Sequence, residues 1–514
     1  MTIDKIIISN RTALLHKYGT AGVKKINTAL RALIAADKKR QVKSLLIFAD
    51  DSKALKKAKG KAVTDVTNAE QYKMAIDSLY NFYHPDYILL LGAQDVIPHC
   101  RFKIPIPGDD DTMVPSDVPY ACEAAFSRNA GDFIAPARVL GRLPDITGAT
   151  DAAYLVSLLH NSAKWKPLKA AAYKNYFSLS VKWWQKSTQL SLSNIFQNSS
   201  NMQLAPPAAG PYTSKALSAL MHFYNCHGGL RTPEFYGQSA ETSGSYPVCM
   251  ESGMLKDKLT YGTVAAAECC YGGLLYNPVR PTKIMIPIAN AYLQNNAIAY
   301  VGSTTAAYGP ADGQGAADYV TQYFLIAVLK GASSGRAFLE AQQRFVEKGD
   351  VKMDPVDLKT IIQFLLLGDP SLSPVEETPK TTPGKTAVRG ILNKNDHAVK
   401  ERKERRIKLA EKSFFISSVS DSPVAITAEP TGTLKTAIDT VLKEYQFTHQ
   451  EKISYGFKKR KSTTRSKNPG SSQQYHYHIY SRKQSNAVLD TVSLLVIQEV
   501  DKKIMEIKEY VRRG

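Results

Sequence analysis

Residues 264–273 (VAAAECCYGG) join an apolar run to two adjacent cysteines and a pair of glycines. A second stretch, residues 222–229 (HFYNCHGG), follows the same order, with an apolar run before a reactive side chain and two glycines. Short apolar runs bounded by glycine are typical of strands buried in a parallel sheet. Because the carboxyl ends of neighbouring parallel strands meet at one edge of a sheet, we expect His227 and Cys270 to lie close together there.

The flanking sequence alternates between short apolar runs and amphipathic stretches as far as residue 375. The predicted strands are Lys5–Ser9, Ser44–Phe48, Tyr87–Leu91, Tyr176–Val181, 297–302 and 364–367. The predicted helices are 22–36, 70–83, 319–329 and Ser334–Lys348. Alternation of strands with helices predicts an α/β fold, in which helices cover both faces of a mostly parallel sheet.

Composition divides the chain into four segments. Residues 1–150 and 151–375 are expected to be two α/β subdomains of one unit. Residues 376–390, rich in Thr, Pro and Lys, are expected to form a linker. Residues 391–514 are expected to be a small, basic α+β domain, in which residues 486–513 predict one long terminal helix.

The net charge of +20 is unevenly distributed. Residues 376–514 hold 27 Lys and Arg against 16 Asp and Glu, a net charge of +11. Such an excess points to an acidic partner, either nucleic acid or an acidic protein face. A solvated basic surface that keeps the protein soluble is the equally weighted alternative.

Several classes of protein are disfavoured by the sequence. The six cysteines are sparse, which disfavours a disulfide framework, and their spacing fits no zinc site. No apolar run approaches the roughly 20 residues that span a bilayer. We expect a cytoplasmic chain without a membrane segment, a metal or another cofactor. The acidic run Asp109-Asp110-Asp111 indicates either a cation site, such as structural Ca²⁺, or an acidic loop tip, and we expect the loop tip.

A thiol and an imidazole that meet at a sheet edge have a defined chemistry. A free thiol has a pKa of about 8.5, so it is mostly protonated at neutral pH. A nearby imidazole can accept its proton and later give a proton to a leaving amine. The glycines that follow let a substrate backbone come close. The backbone amides of Gly228 and Cys270 are the expected donors to a developing oxyanion.

These segments together resemble the gingipain family of cysteine peptidases, which is related to the caspases and legumains. Other elements that resemble the family occur in its order along the chain. They are residues 87–98 (YILLLGAQDVIP), 115–120 (PSDVPY), 139–144 (VLGRLP), 299–304 (AYVGST) and 367–372 (LGDPSL). The resemblance covers roughly residues 80–375.

The resemblance implies a cysteine endopeptidase with a caspase-like sheet, in which residues 151–375 are the catalytic subdomain. Protein substrates would be cut through an acyl-enzyme formed by Cys270, with His227 as the acid and base. Cys270 is favoured over Cys269 because the family places a small residue, and not a bulky acid such as Glu268, just before the nucleophile. The possible substrate pocket would include Glu268, Ser303, Tyr308 and Asp312.

One segment departs from the family pattern. Arginine-specific gingipains carry acidic residues after the strand that corresponds to Tyr176–Val181, whereas residues 182–189 here are KWWQKSTQ. Neither a third catalytic carboxylate nor arginine specificity is therefore carried over. We expect regulation by an activating or inhibitory protein partner, or by processing. The alternative is an inactive peptidase-like scaffold that binds nucleic acid or a partner through the basic domain.

Overall fold

The computed structural model describes residues 3–278, 285–348, 353–376, 404, 406–414, 422–427, 429–447, 451–458, 475–484 and 489–513. The predicted linker at residues 376–390 lies outside these ranges except for Glu376. Described helices are α1 (Arg11–Lys39), α2 (Ser52–Lys57), α3 (Ala69–Tyr83), α4 (Val118–Ala121), α5 (Ala153–Lys164), α6 (Gln185–Phe196), α7 (Ser214–Leu217), α8 (Ile288–Gln294), α9 (Ala317–Leu329), α10 (Ser334–Lys348), α11 (Pro355–Gln363) and α12 (Gly432–Glu444).

The strands before residue 376 are β1 (Lys5–Ser9), β2 (Ser44–Phe48), β3 (Tyr87–Leu91), β4 (Cys100–Phe102), β5 (Val114–Ser116), β6 (Leu140–Leu143), β7 (Tyr176–Val181), β8 (Met202–Ala205), β9 (Met221–Asn225), β10 (His227–Gly228), β11 (Glu234–Tyr236), β12 (Val248–Glu251), β13 (Thr263–Ala267), β14 (Ala297–Ser303), β15 (Tyr308–Gly309) and β16 (Phe364–Gly368). The later strands are β17 (Ser422–Ile426), β18 (Glu451–Lys458), β19 (Tyr475–Gln484), β20 (Thr491–Val500) and β21 (Lys503–Arg512).

Ten strands form one large sheet in the order β2-β1-β3-β6-β16-β14-β13-β9-β7-β8. Eight neighbouring pairs in it run parallel, whereas β14 and β16 run antiparallel. Strands such as β3 and β13 are buried at every residue because helices cover both faces of the sheet. The expected α/β fold with a mostly parallel sheet is confirmed.

The helices begin where the sequence supplies capping groups. The side-chain oxygen of Asn68 accepts hydrogen bonds from the first amides of α3. Asp354 does the same for α11, which has Pro355 at its first position. Both arrangements satisfy backbone amides that have no partner inside the helix.

The C-terminal strands form a second sheet in the order β15-β21-β20-β19-β18-β17, with α12 packed against it. The small α+β unit is therefore confirmed, but the terminal helix predicted for residues 486–513 is wrong. Instead, β20 and β21 form an antiparallel hairpin. Asp501 and Lys502 turn the chain with φ angles of 49° and 65°, which a right-handed helix cannot contain. Many of the apolar residues here are also β-branched, which favours strands.

A buried ion cluster joins the first strand to the end of the last strand of the large sheet. The ammonium group of Lys5 lies 2.7 Å from Asp37 and 2.6 Å from Asp369, and all three side chains are fully buried. Burial alone would lower the pKa of Lys5, but the two carboxylates outweigh it and raise that pKa. The cluster ties α1, β1 and the turn after β16 together.

Replacement of this cation should destabilise the fold strongly. Lys5→Met leaves Asp369 buried without a counter-charge and Asp37 with Arg40 as its cation partner, which costs about 3–5 kcal/mol. Unfolding in urea, compared with the wild type, measures the loss. Lys39→Met, at an exposed position in the last turn of α1, is the matched control and should change the stability by less than about 0.5 kcal/mol. Equal losses in the two variants would contradict a structural role for the cluster.

Candidate active site

The structure brings the segments of His227 and Cys270 together. Strands β9 and β13 are parallel neighbours, with Tyr224 opposite Ala267 at their carboxyl ends. His227 follows the end of β9 by two positions, and Cys270 follows the end of β13 by three. The two loops are in close contact, because a Cβ added to Gly228 would lie 1.9 Å from the carbonyl oxygen of Cys270. A glycine is therefore required at this position.

A neutral amide orients the imidazole of His227. Its Nε2 lies 2.8 Å from Oε1 of Gln238. The side-chain NH2 of Gln238 donates to the carbonyl oxygens of Glu241 and Ser243, at 3.2 and 3.1 Å, which fixes the direction of the amide. Nε2 of His227 must then carry the proton. Its Nδ1 is left buried as an acceptor, and no hydrogen-bond partner for it occurs among the described residues.

The imidazole of His227 lies between two aromatic rings. The ring of Trp184 is 4.4 Å away and that of Tyr246 is 5.2 Å away, edge to face. Burial lowers the pKa of His227 to about 3, and the positive charges of Arg513 and Arg512 act in the same direction. The imidazole is therefore neutral at pH 7 in this arrangement.

The thiol of Cys270 is also buried and neutral. Its Sγ accepts a hydrogen bond from the amide of Ala307 at 3.0 Å. Burial raises the pKa of Cys270 to about 12, although Arg512 and the Ala307 amide favour the thiolate. Cys269 is oriented differently, because its sulfur lies against that of Cys226.

One carbonyl oxygen from the C-terminal strand accepts both expected amide donors. The amides of Gly228 and Cys270 donate to the carbonyl oxygen of Arg513, at 3.0 and 3.2 Å. Donors that stabilise a tetrahedral oxyanion lie at comparable distances from it. The carbonyl group of Arg513 thus occupies the place where the chemistry described above requires the attacked carbonyl.

The backbone before this carbonyl lies in the groove as an added strand. β21 pairs antiparallel with the short strand β15, with Arg512 opposite Tyr308 and Val511 opposite Gly309. The pairing continues where the Arg513 amide donates to the carbonyl oxygen of Ala307 at 2.7 Å. Main-chain pairing of this kind holds an extended peptide without regard to most of its side chains.

The side chain of Arg513 fills a fully buried pocket. Its Nη2 lies 3.2 Å from Oδ1 of Asp318, and it also donates to the carbonyl oxygen of Pro310 at 2.9 Å. A longer hydrogen bond of 3.4 Å reaches the hydroxyl of Ser187. The guanidinium lies 4.3 Å from the centre of the Trp184 ring, a cation–π contact.

Asp318 is held in place from three sides. It lies in the first turn of α9, where its Oδ2 accepts from the amide of Gly315 at 3.0 Å. Ser187 donates to its Oδ1 at 2.9 Å. Beneath it, burial and the charge of Asp318 raise the pKa of Glu268 well above its usual range, which favours the neutral carboxyl group. Asp318, and not Glu268, contacts the guanidinium.

Comparison with known proteins identifies the chain's relatives. Residues 2–375 match peptidase family C25. The chain belongs to that family. As a C25 member it is a cysteine peptidase, which agrees with the resemblance seen in its sequence. A comparison with curated protein sequences gave no match.

Two solved structures are similar to this C25 peptidase. The Arg-specific cysteine proteinase gingipain R is 11% identical, with a TM-score of 0.50, and the alignment covers 99% of this chain and 97% of that one. A second structure, described as a protease, is 13% identical, with a TM-score of 0.46, over 99% and 96% of the two chains. The gingipain R match supports the assigned fold.

The four predicted pocket residues lie in different surroundings, and none of them is described in contact with the guanidinium of Arg513. Glu268 lies behind Asp318, as described. Ser303 is buried and donates to the carbonyl oxygens of Cys269 and Thr305, so it shapes the loops. Tyr308 belongs to β15, and its hydroxyl donates to Asp109 at 3.0 Å. Asp312 is 76% exposed and lies 4.0 Å from Lys186.

Three residues of the site were not predicted from the sequence. Trp184 belongs to residues 182–189, the segment that lacks the acids of arginine-specific gingipains, and its ring contacts both His227 and Arg513. Asp318 stands one residue before the predicted start of a helix. Acids are common at that position because they stabilise the helix N-terminus, so an acid there does not by itself indicate a binding role. Gln238 is a single neutral residue, and nothing in the sequence marks it.

The acidic run makes ion pairs within the chain. Asp109 and Asp111 bind the ammonium group of Lys359. Asp110 lies 3.2 Å from Lys483 and 3.4 Å from Arg512, both in the C-terminal sheet. The acidic run therefore forms ion pairs with lysine and arginine side chains of the same chain. Nucleic-acid binding by residues 391–514 stays a prediction.

The described residues contain neither a candidate metal site nor a helix suited to span a membrane. No group of three or more His, Cys, Asp or Glu side chains is arranged to hold a metal ion among them. In the same parts of the chain, no helix has both the length and the apolar character to cross a bilayer.

The raised pKa of Cys270 predicts an unusual pH dependence of its alkylation. Below that pKa the thiol is neutral, and the reactive thiolate increases as the pH rises. The rate of modification by iodoacetamide should therefore rise about tenfold per pH unit from about pH 7 to pH 10. Mass spectrometry of the Cys270 peptide follows the reaction. In urea the alkylation rate of Cys270 should stop rising near pH 8.5, the ordinary pKa of a thiol. A plateau at that pH in the folded chain would contradict burial of the thiol.

Proposed function

We propose that this C25 peptidase is an endopeptidase that cleaves polypeptides after arginine, with Cys270 as the nucleophile and His227 as the acid and base. The observation that carries the proposal is the position of Arg513. Its carbonyl oxygen accepts from two convergent amides while its side chain fills a pocket closed by a carboxylate.

The chemistry follows from these contacts. Nδ1 of His227 takes the proton from the Cys270 thiol as the sulfur attacks the carbonyl carbon of the substrate. Negative charge develops on the oxygen that the amides of Gly228 and Cys270 face. The imidazolium then protonates the departing amine, which leaves an acyl-enzyme. Water, deprotonated by His227, hydrolyses the thioester and restores the thiol.

A substrate changes the balance of charge at this pair. The imidazole is buried between rings and bound to an uncharged amide, so it is a weak base before substrate enters. Proton transfer from the thiol creates opposite charges side by side, which stabilise each other in a dry site. Gln238 is a positioning residue that keeps Nδ1 available throughout.

The pocket is suited to arginine rather than lysine. The Nη2 nitrogen of Arg513 contacts a carboxylate, a carbonyl oxygen and a hydroxyl, and the planar guanidinium stacks on Trp184. A lysine ammonium would be a point charge on a narrower stem and would lose the stacking. The arginine specificity stated for gingipain R is consistent with this proposal.

The backbone pairing supports cleavage within polypeptides. Residues 511–513 are bound through main-chain pairing with β15 and its neighbour Ala307. A substrate bound in this way needs at least three residues before the cut bond. That requirement excludes removal of single residues from an amino terminus and favours protein substrates.

Loss of the nucleophile tests the proposal. Prolonged incubation of the full chain with a mixed peptide library should give cuts after arginine, located by mass spectrometry. Cys270→Ala should reduce them to background, whereas Cys269→Ala should retain them, because the sulfur of Cys269 lies against Cys226. Cuts that survive in Cys270→Ala would refute Cys270 as the nucleophile, and no cuts by any variant would support the inactive scaffold instead.

Removal of the pocket carboxylate tests the specificity. Asp318→Asn should lower kcat/KM for arginyl peptides about 100-fold or more, since an unpaired buried cation costs about 3–5 kcal/mol. Asp312→Asn is the matched control, an exposed acid on the preceding loop, and should change kcat/KM by less than about threefold. Similar losses in both variants would refute the assignment of the pocket.

A further inference from the structure

We propose that β21 is a tethered substrate mimic that blocks the groove, so that the peptidase is inactive until this strand leaves. The inference rests on the proposed function and adds its regulation. The groove binds a backbone, a carbonyl group and an arginine side chain, and the chain's own C-terminal strand supplies all three.

A second side chain of the strand is also bound. Arg512 is 92% buried, and its Nη2 donates to the hydroxyl of Tyr271 at 3.1 Å. Its Nη1 lies 3.4 Å from Asp110. Tyr271 directly follows Cys270, so this contact lies beside the reactive thiol. Two consecutive arginines therefore occupy two consecutive sites of the groove.

The strand is attached to the peptidase unit well beyond the groove. Lys508 and Tyr510 both reach Asp354, at 3.5 and 3.1 Å. Neighbouring strands add contacts of Arg482 with Glu241 at 2.8 Å, and of Thr491 with the Tyr246 hydroxyl at 2.6 Å. These contacts place the strand in one register on the groove.

Blocking follows from geometry and mass action. Cys270 and His227 are each about 1% exposed beneath the strand, and the side chain of Arg513 is fully buried. A polypeptide cannot reach the two amides while the carbonyl group of Arg513 holds them. A tethered ligand acts at an effective concentration of about millimolar, so a free substrate competes poorly. Cleavage after Arg513 would not free the groove, because the pairing and the side-chain contacts all precede that bond.

Backbone pairing favours one way for the strand to leave. β21 matches β20 at eight register pairs but matches β15 at two. Separation from β15 therefore breaks far fewer backbone contacts than separation from β20. The sheet of β17–β21 should move away from the groove as one body, carrying Arg512 and Arg513 with it.

Weakening the strand's hold should activate the enzyme. Arg513→Ala removes the side chain from the pocket, and Arg512→Ala, a second variant, leaves the pocket contacts intact. Each should raise kcat/KM for an arginyl peptide, and the rate of Cys270 alkylation at fixed pH, about tenfold or more over the wild type. Lys503→Ala, at the exposed start of the same strand, is the control and should stay within about twofold.

The two readouts separate this inference from the proposed function. Unchanged rates in folded Arg513→Ala and Arg512→Ala, with a wild type that hydrolyses the peptide, would overturn the blocking strand and leave the function standing. Faster alkylation in both variants without any hydrolysis would support the blocking strand and refute the function. Thermal unfolding of each variant, compared with Lys503→Ala, shows that the variant is folded.

Discussion

The site depends on two backbone amides that converge on one oxygen. Gly228 and Cys270 donate to the same carbonyl group only because β9 and β13 run parallel, are adjacent and end in register. A shift of one residue in that register would turn one loop to the opposite face of the sheet. The missing side chain at Gly228 is part of the same constraint, because any Cβ there would overlap the Cys270 carbonyl oxygen.

Much of the fold and half of the site could be read from the sequence because they depend on local patterns. Apolar runs that end in glycine marked β9 and β13, and parallel pairing placed His227 and Cys270 at one edge. Asp318 could not be found in this way, because its role comes from contact with Ser187 and Arg513, which are distant in sequence. The terminal hairpin was misread as a helix because its apolar residues fit both periodicities, and the two-residue turn at Asp501 and Lys502 carries no glycine.

The basic C-terminal segment finds acidic partners within the same chain. Lys483 and Arg512 reach Asp110, Arg482 reaches Glu241, and Arg513 reaches Asp318. An acidic protein face was one of the expected partners of this segment, and here such a face belongs to the peptidase unit. The exposed pairs are weakened by salt, whereas the buried pair of Arg513 and Asp318 is screened far less.

Because β21 belongs to the C-terminal strands and also fills the groove, its position has a thermodynamic consequence. One strand is both the last of the C-terminal strands β17–β21 and the occupant of the groove, so the position of those strands and access to Cys270 are a single equilibrium. Any molecule that binds residues 422–513 more tightly in the displaced position would shift that equilibrium by its difference in affinity. By reciprocity, a peptide that fills the emptied groove would tighten the binding of that molecule by the same factor.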